Sequence, residues 1–170
     1  MITVDLSEEE MRRASAIGSE RVARADSDPR YAYARSSSGV DTHTLSAQAE
    51  LAVSKVVKIP WPARVDDYGR LPDLDPFWEV RWCPDPKKLR VSPQDDPEGY
   101  VCFVTGYGPT MEIRGYVVAG WAQREVPLTG KSHLVSEHRL VPMDWSFHTL
   151  CGWFKPDDLW ICAFCGKVFG

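Results

Sequence analysis

Pro72-Asp73-Leu74-Asp75-Pro76-Phe77-Trp78-Glu79-Val80-Arg81-Trp82 is the stretch on which the reading of this chain turns. The two prolines bracket a turn, and the run from Phe77 to Cys83 alternates as a strand does. Residues two apart on a strand face the same side, so Glu79 and Arg81 point into one place, either as parts of one site or as a structural same-face ion pair. Asp73, six residues upstream of Glu79, supplies a second carboxylate from a neighbouring strand or turn, with Asp75 beside it. Carboxylates with open positions suit Mg²⁺, which keeps several waters and binds phosphate oxygens. Such a cation acidifies a water and neutralises charge on a phosphoryl group.

Working towards the N-terminus, the segment 45–58 carries Leu45, Ala49, Ala52, Val53, Val56 and Val57 at helical spacing, and Pro60 ends it. Glu50 lies within this helix. Before it, 26–42 is polar, with Asp28-Pro29 and Ser36-Ser37-Ser38-Gly39, and reads as a loop. Ser7-Glu8-Glu9-Glu10 is a capping box that opens a helix over 8–25. Its arginines, Arg12, Arg13, Arg21 and Arg24, read first as a solvated face, with a phosphate-facing patch as the alternative.

Towards the C-terminus, Lys88–Val91, Tyr100–Thr105 and Ile113–Gly120 read as strands, with turns at Pro93–Gly99 and Gly106–Thr110. A short helix follows over about 120–125, and Ser132–Val141 reads as a strand or extended segment. Helices followed by short strands imply an α+β (α/β) class with a small central mixed sheet flanked by helices. The body is expected to span 1–143, with 144–170 as a separate small element.

That last element carries His148-Thr149-Leu150-Cys151, then ten residues, then Cys162-Ala163-Phe164-Cys165. Two ligand pairs with two-residue gaps fit a closed, structural Zn²⁺ site of His148, Cys151, Cys162 and Cys165. His133 or His138 are alternatives for the histidine. Zinc would supply folding free energy to a segment with little hydrophobic periodicity.

Composition narrows the classes further. The chain has 170 residues, 44% hydrophobic and 26% charged, with 20 basic against 24 acidic residues and a net charge of −4. That balance argues against tight non-specific binding along a duplex through a basic face. No apolar run approaches the roughly 20 residues of a membrane helix, and the N-terminus does not read as a signal peptide. A cytoplasmic protein without membrane contact is expected, and five cysteines, an odd count, argue against a disulfide framework.

The chain resembles a phage and actinobacterial family of small PD-(D/E)XK-like, restriction-endonuclease-like nuclease-fold proteins. The resemblance runs over residues 2–143. It rests on the stretch His43-Thr44-Leu45-Ser46-Ala47-Gln48-Ala49-Glu50-Leu51-Ala52-Val53-Ser54-Lys55 and on Pro72-Asp73 followed by Glu79-Val80-Arg81. It rests also on Tyr100-Val101-Cys102-Phe103-Val104-Thr105-Gly106 and Gly115-Tyr116-Val117-Val118-Ala119-Gly120-Trp121-Ala122. It implies a Mg²⁺- (or Mn²⁺-) dependent DNA endonuclease in which Glu50, Asp73 and Glu79 hold the metal, with Asp75 the rival of Asp73 because the spacing around the aspartate is loose. Arg81 stands in the place of a lysine. Arginine is never deprotonated in proteins, so it can orient phosphate and stabilise charge but cannot act as a base. The alternative is a catalytically inactive nuclease-fold module that binds nucleic acid or a host protein. DNA is the expected partner, and a homodimer is compatible with one strand cut per domain.

Overall fold

The computed structural model describes residues 1–27, 42–65, 71–74, 76–85 and 87–143, together with the backbone strands 153–154, 160–162 and 168–169. The chain begins with strand β1 (Ile2–Asp5) and helix α1 (Glu8–Ser27). The capping box forms as its sequence dictates: Ser7 N–H donates to Glu10 Oε2 at 2.7 Å, and Glu10 N–H donates to Ser7 Oγ at 3.3 Å. Helix α2 (Thr42–Val57) packs against α1. Lys55 ties the pair together by donating to Glu10 Oε2 at 2.9 Å and to the Asp5 carbonyl at 3.0 Å.

Strands β2 (Trp78–Trp82), β4 (Tyr100–Tyr107) and β5 (Thr110–Val118) join β1 in a four-stranded sheet of order β1-β5-β4-β2. β1/β5 and β5/β4 are antiparallel and β2/β4 is parallel, so the sheet is mixed and β2 is an edge strand. Strand β3 (Lys88–Val91) pairs instead with β7 (Ser132–Ser136), which also pairs with β6 (Leu128–Thr129), in a second small sheet. Helix α3 (Ala119–Glu125) follows β5 directly. Three short C-terminal strands, β8 (Trp153–Phe154), β9 (Trp160–Cys162) and β10 (Val168–Phe169), form a third sheet.

Two apolar layers result. Trp78, Val80, Cys102 and Val104 pack with Ala49, Ala52 and Val53 of α2, while Val101, Phe103 and Val117 pack with Leu89, Val135 and Ala122 on the opposite face. Alternation along each strand sends its side chains to the two layers in turn. The mixed α+β class holds, with one difference in detail: α2, backed by α1, covers one face, but the other is covered by α3 and the small β3-β7-β6 sheet.

Four further expectations change. β1 was not foreseen; it gains its place only by pairing Ile2 with Ile113 and Asp5 with Thr110 across more than a hundred residues. β4 and β5 run further into their hairpin than the expected turn at Gly106–Thr110 allowed, to Tyr107 and from Thr110. β7 stops at Ser136, and Glu137–Arg139 form a 3₁₀ turn before Val141 pairs with Tyr116. Helix α2 is buried at Leu45 and throughout 47–54, because α1 and the sheet enclose it from opposite sides. Among the described residues, no helix is long and apolar enough to cross a membrane.

Candidate functional site

The free edge of β2 organises the site. Edge strands present unpaired backbone donors and acceptors. Here Leu74 and Trp78 exchange both backbone hydrogen bonds at 3.0 Å, and the next outward N–H, that of Val80, donates to Asp73 Oδ2 at 2.7 Å. Asp73 thus occupies the position a neighbouring strand would take. Glu79 and Arg81 leave β2 on the same face, and Arg81 Nη1 donates to Glu79 Oε2 at 2.9 Å. A cavity of about 630 Å³ opens at this edge and takes in Glu50, Asp73, Glu79 and Arg81. The four residues nominated by the sequence therefore share one concavity.

Further residues complete it. Glu50 of α2 is 3% exposed and is gripped by Arg21 of α1, with Nη1 to Oε1 at 2.7 Å and Nη2 to Oε2 at 2.8 Å. Trp61 Nε1 donates to Glu50 Oε2 at 3.0 Å. Arg21 also donates to the Arg64 carbonyl at 3.0 and 2.8 Å, and Arg64 Nη1 donates to the Pro72 carbonyl, which anchors the chain just before Asp73. On the other side Arg81 Nη2 donates to Asp95 Oδ1 at 2.9 Å. Asp95 Oδ2 accepts the Ser92 N–H at 2.8 Å, and Gln123 of α3 holds the Ser92 and Asp95 carbonyls at 3.1 and 2.9 Å. Arg81 is therefore positioned from both ends.

Arg21 corrects the reading of α1 as carrying only solvated arginines: its side chain is 11% exposed. Ala14, Gly18, Arg21 and Ala25 follow at spacings of four, three and four, a stripe of small residues that faces α2. An arginine within that stripe was the available signal. Arg12 keeps the expected exposure, paired with Glu9 at 2.5 Å.

The electrostatics are those of crowded carboxylates. Removal from water, then the charges of Glu50 and Glu79, push the Asp73 carboxyl up to about 8, although Arg81 and the Val80 N–H oppose this. Burial also raises Glu79, aided by Asp95 and Glu50 and opposed by Arg81. Burial works against the charge of Arg81, but Glu79, Asp95 and Asp73 more than offset it and hold Arg81 above its ordinary range. Among the described residues five carboxylates line the cavity, the fifth being Asp96, against three guanidinium groups.

Among the described residues no three His, Cys, Asp or Glu side chains are grouped as a ready metal cage. The bonds above show why: Glu50 is drawn to Arg21 and Trp61, and Glu79 to Arg81. Asp75, His148, Cys151 and Cys165 lie outside the described residues, and Cys162 is described only as backbone in β9. His133 is buried in β7 with Nδ1 donating to the Val126 carbonyl at 2.6 Å, and His138 is exposed in the 3₁₀ turn. Set against known proteins, the chain matches no family model, no curated protein and no solved structure.

Proposed function

We propose that this chain is a divalent-metal-dependent phosphodiesterase of the PD-(D/E)XK type acting on DNA. The observation that carries the reading is the convergence of Glu50, Asp73, Glu79 and Arg81 on one cavity at the free edge of β2. Among the described residues, a surplus of carboxylates over guanidinium groups, with Asp73 driven towards its protonated form, is the charge pattern that a divalent cation relieves. Mg²⁺ is commonly held by one or two carboxylates plus water and substrate phosphate rather than by an all-protein cage. Asp73 and Glu79 would hold it, with Glu50 adding negative charge from behind. When bound, the cation supplies an acidified water and neutralises charge on the phosphate. Arg81, fixed by Glu79 and Asp95, presents a permanent positive charge to the phosphate and stabilises the charge that develops there. The cysteine-rich end is proposed to hold one structural Zn²⁺ through His148, Cys151, Cys162 and Cys165, which the zinc content of the full chain tests.

The double engagement of Arg81 with Glu79 and Asp95 favours a second reading, in which the same scaffold binds DNA or a host protein without cutting. One experiment separates them. Labelled single-stranded, duplex and branched DNA is incubated with Mg²⁺ or Mn²⁺ and either the parent chain or Glu79→Gln from matched preparations. The phosphodiesterase reading expects metal-dependent cleavage that falls about 10²–10³-fold in the variant. Absence of cleavage by the parent on every substrate would transfer the assignment to the binding module.

A further inference from the structure

We infer that Phe77 is a base-stacking residue and that the site takes an unpaired nucleotide of a DNA strand; this rests on the reading just given. Phe77 lies in the turn that leads directly into β2, Glu79 and Arg81 share one face of that strand, and all three line the cavity, so an aromatic ring, a carboxylate and a guanidinium meet there. The backbone of Phe77 is pinned, since its carbonyl accepts the Tyr100 N–H at 2.7 Å. The residue nevertheless remains 46% exposed, and it lines the cavity. Leu71, 48% exposed, lines the same cavity.

Single exposed hydrophobics are ordinary on protein surfaces. Two that border the same charge-rich cavity form an apolar wall next to groups suited to a phosphate. A nucleotide combines those chemistries: a base with a π-face, and a phosphate. A cavity of about 630 Å³ is on the scale of one small ligand, not of a duplex. The five carboxylates among its described lining residues and the net charge of −4 oppose a long phosphate backbone laid across it. A base inside a duplex has both faces covered by its neighbours, and extruding it costs a few kcal/mol. A base at a strand end, bulge or single-stranded stretch is free to stack on Phe77.

The test measures binding of a short single strand containing 2-aminopurine, and of the same sequence as a blunt duplex, in Mg²⁺ on the Glu79→Gln background, where cutting does not interfere. The expected result is preference for the single strand and quenching of 2-aminopurine. Phe77→Ala should then weaken single-strand binding about 5- to 150-fold, the equivalent of about 1–3 kcal/mol per stacked base, and Phe77→Trp should restore it. Thermal unfolding of each variant checks its fold, and Leu71→Ala probes the same wall independently. A strand that is bound, and cut by the parent chain, with no change in Phe77→Ala overturns this inference and leaves the phosphodiesterase reading standing. A parent chain that neither cuts nor binds DNA in any form overturns that reading and this inference with it.

Discussion

Asp73 shows how much one carboxyl can be asked to do. It closes the free edge of β2 by accepting the Val80 N–H, and it stands in the field of Glu50 and Glu79. Its pKa of about 8 in the fold lies above its ordinary value of 3.8. Between those two values the folded chain holds a proton that the unfolded chain has released. The stability this contributes is full below about pH 4 and is lost as the pH rises through 8, at most about 1.4 kcal/mol per pH unit. Asp73→Asn keeps an oxygen for Val80 and removes the titration. Urea unfolding from pH 5 to 8.5 should therefore show a smaller decline in the variant than in the parent, and parallel declines would contradict the assignment. Glu50, Asp73, Glu79 and Arg81 were legible as residue types at telling positions. Arg21, Trp61 and Asp95 were not, because each earns its role from a partner 29, 11 or 14 residues away.

At the scale of elements, the crossing of α1 and α2 decides whether Glu50 meets Arg21. Gly18 lets the helices approach: a Cβ there would lie 2.2 Å from Thr44 Oγ1 and 2.6 Å from Thr44 Cα. Glycine inside an exposed helix costs about 1 kcal/mol relative to alanine, so Gly18→Ala would ordinarily stabilise. Backbone contact at Thr44 reverses the sign, and we expect Gly18→Ala to destabilise the fold by about 1–3 kcal/mol in urea titration. A gain in stability would show that the helices do not cross this closely. Helices α1 and α2 and strands β2, β3 and β4 could be read from capping, periodicity and turn residues, which are local signals. β1 and the end of β7 could not, since a four-residue strand at a terminus and a turn beside Val141 are fixed only by partners on β5. The zinc-ligand spacing was legible in the same local sense, but it lies outside the described residues.

At the scale of the whole molecule, charge governs how nucleic acid can approach. The chain carries a net −4, and among the described residues the guanidinium groups at the cavity are already engaged: Arg21 with Glu50, Arg64 with the Pro72 carbonyl, Arg81 with Glu79 and Asp95. A protein that tracks a strand through many lysines and arginines releases one set of counterions per phosphate, and its affinity collapses with salt. Here one or two phosphates at the cavity are the expected extent of contact. For single-stranded DNA that gives a slope of log K against log salt of about −0.7 to −1.4. Anisotropy titrations at fixed Mg²⁺ and increasing KCl measure it directly. A slope steeper than about −4 would reveal a basic contact face that the cavity does not supply, and would move the nucleic-acid interface away from the edge of β2. A shallow slope with measurable affinity would mean that cation, stacking and shape carry recognition. An acidic chain can act on a polyanion in that way, one nucleotide at a time.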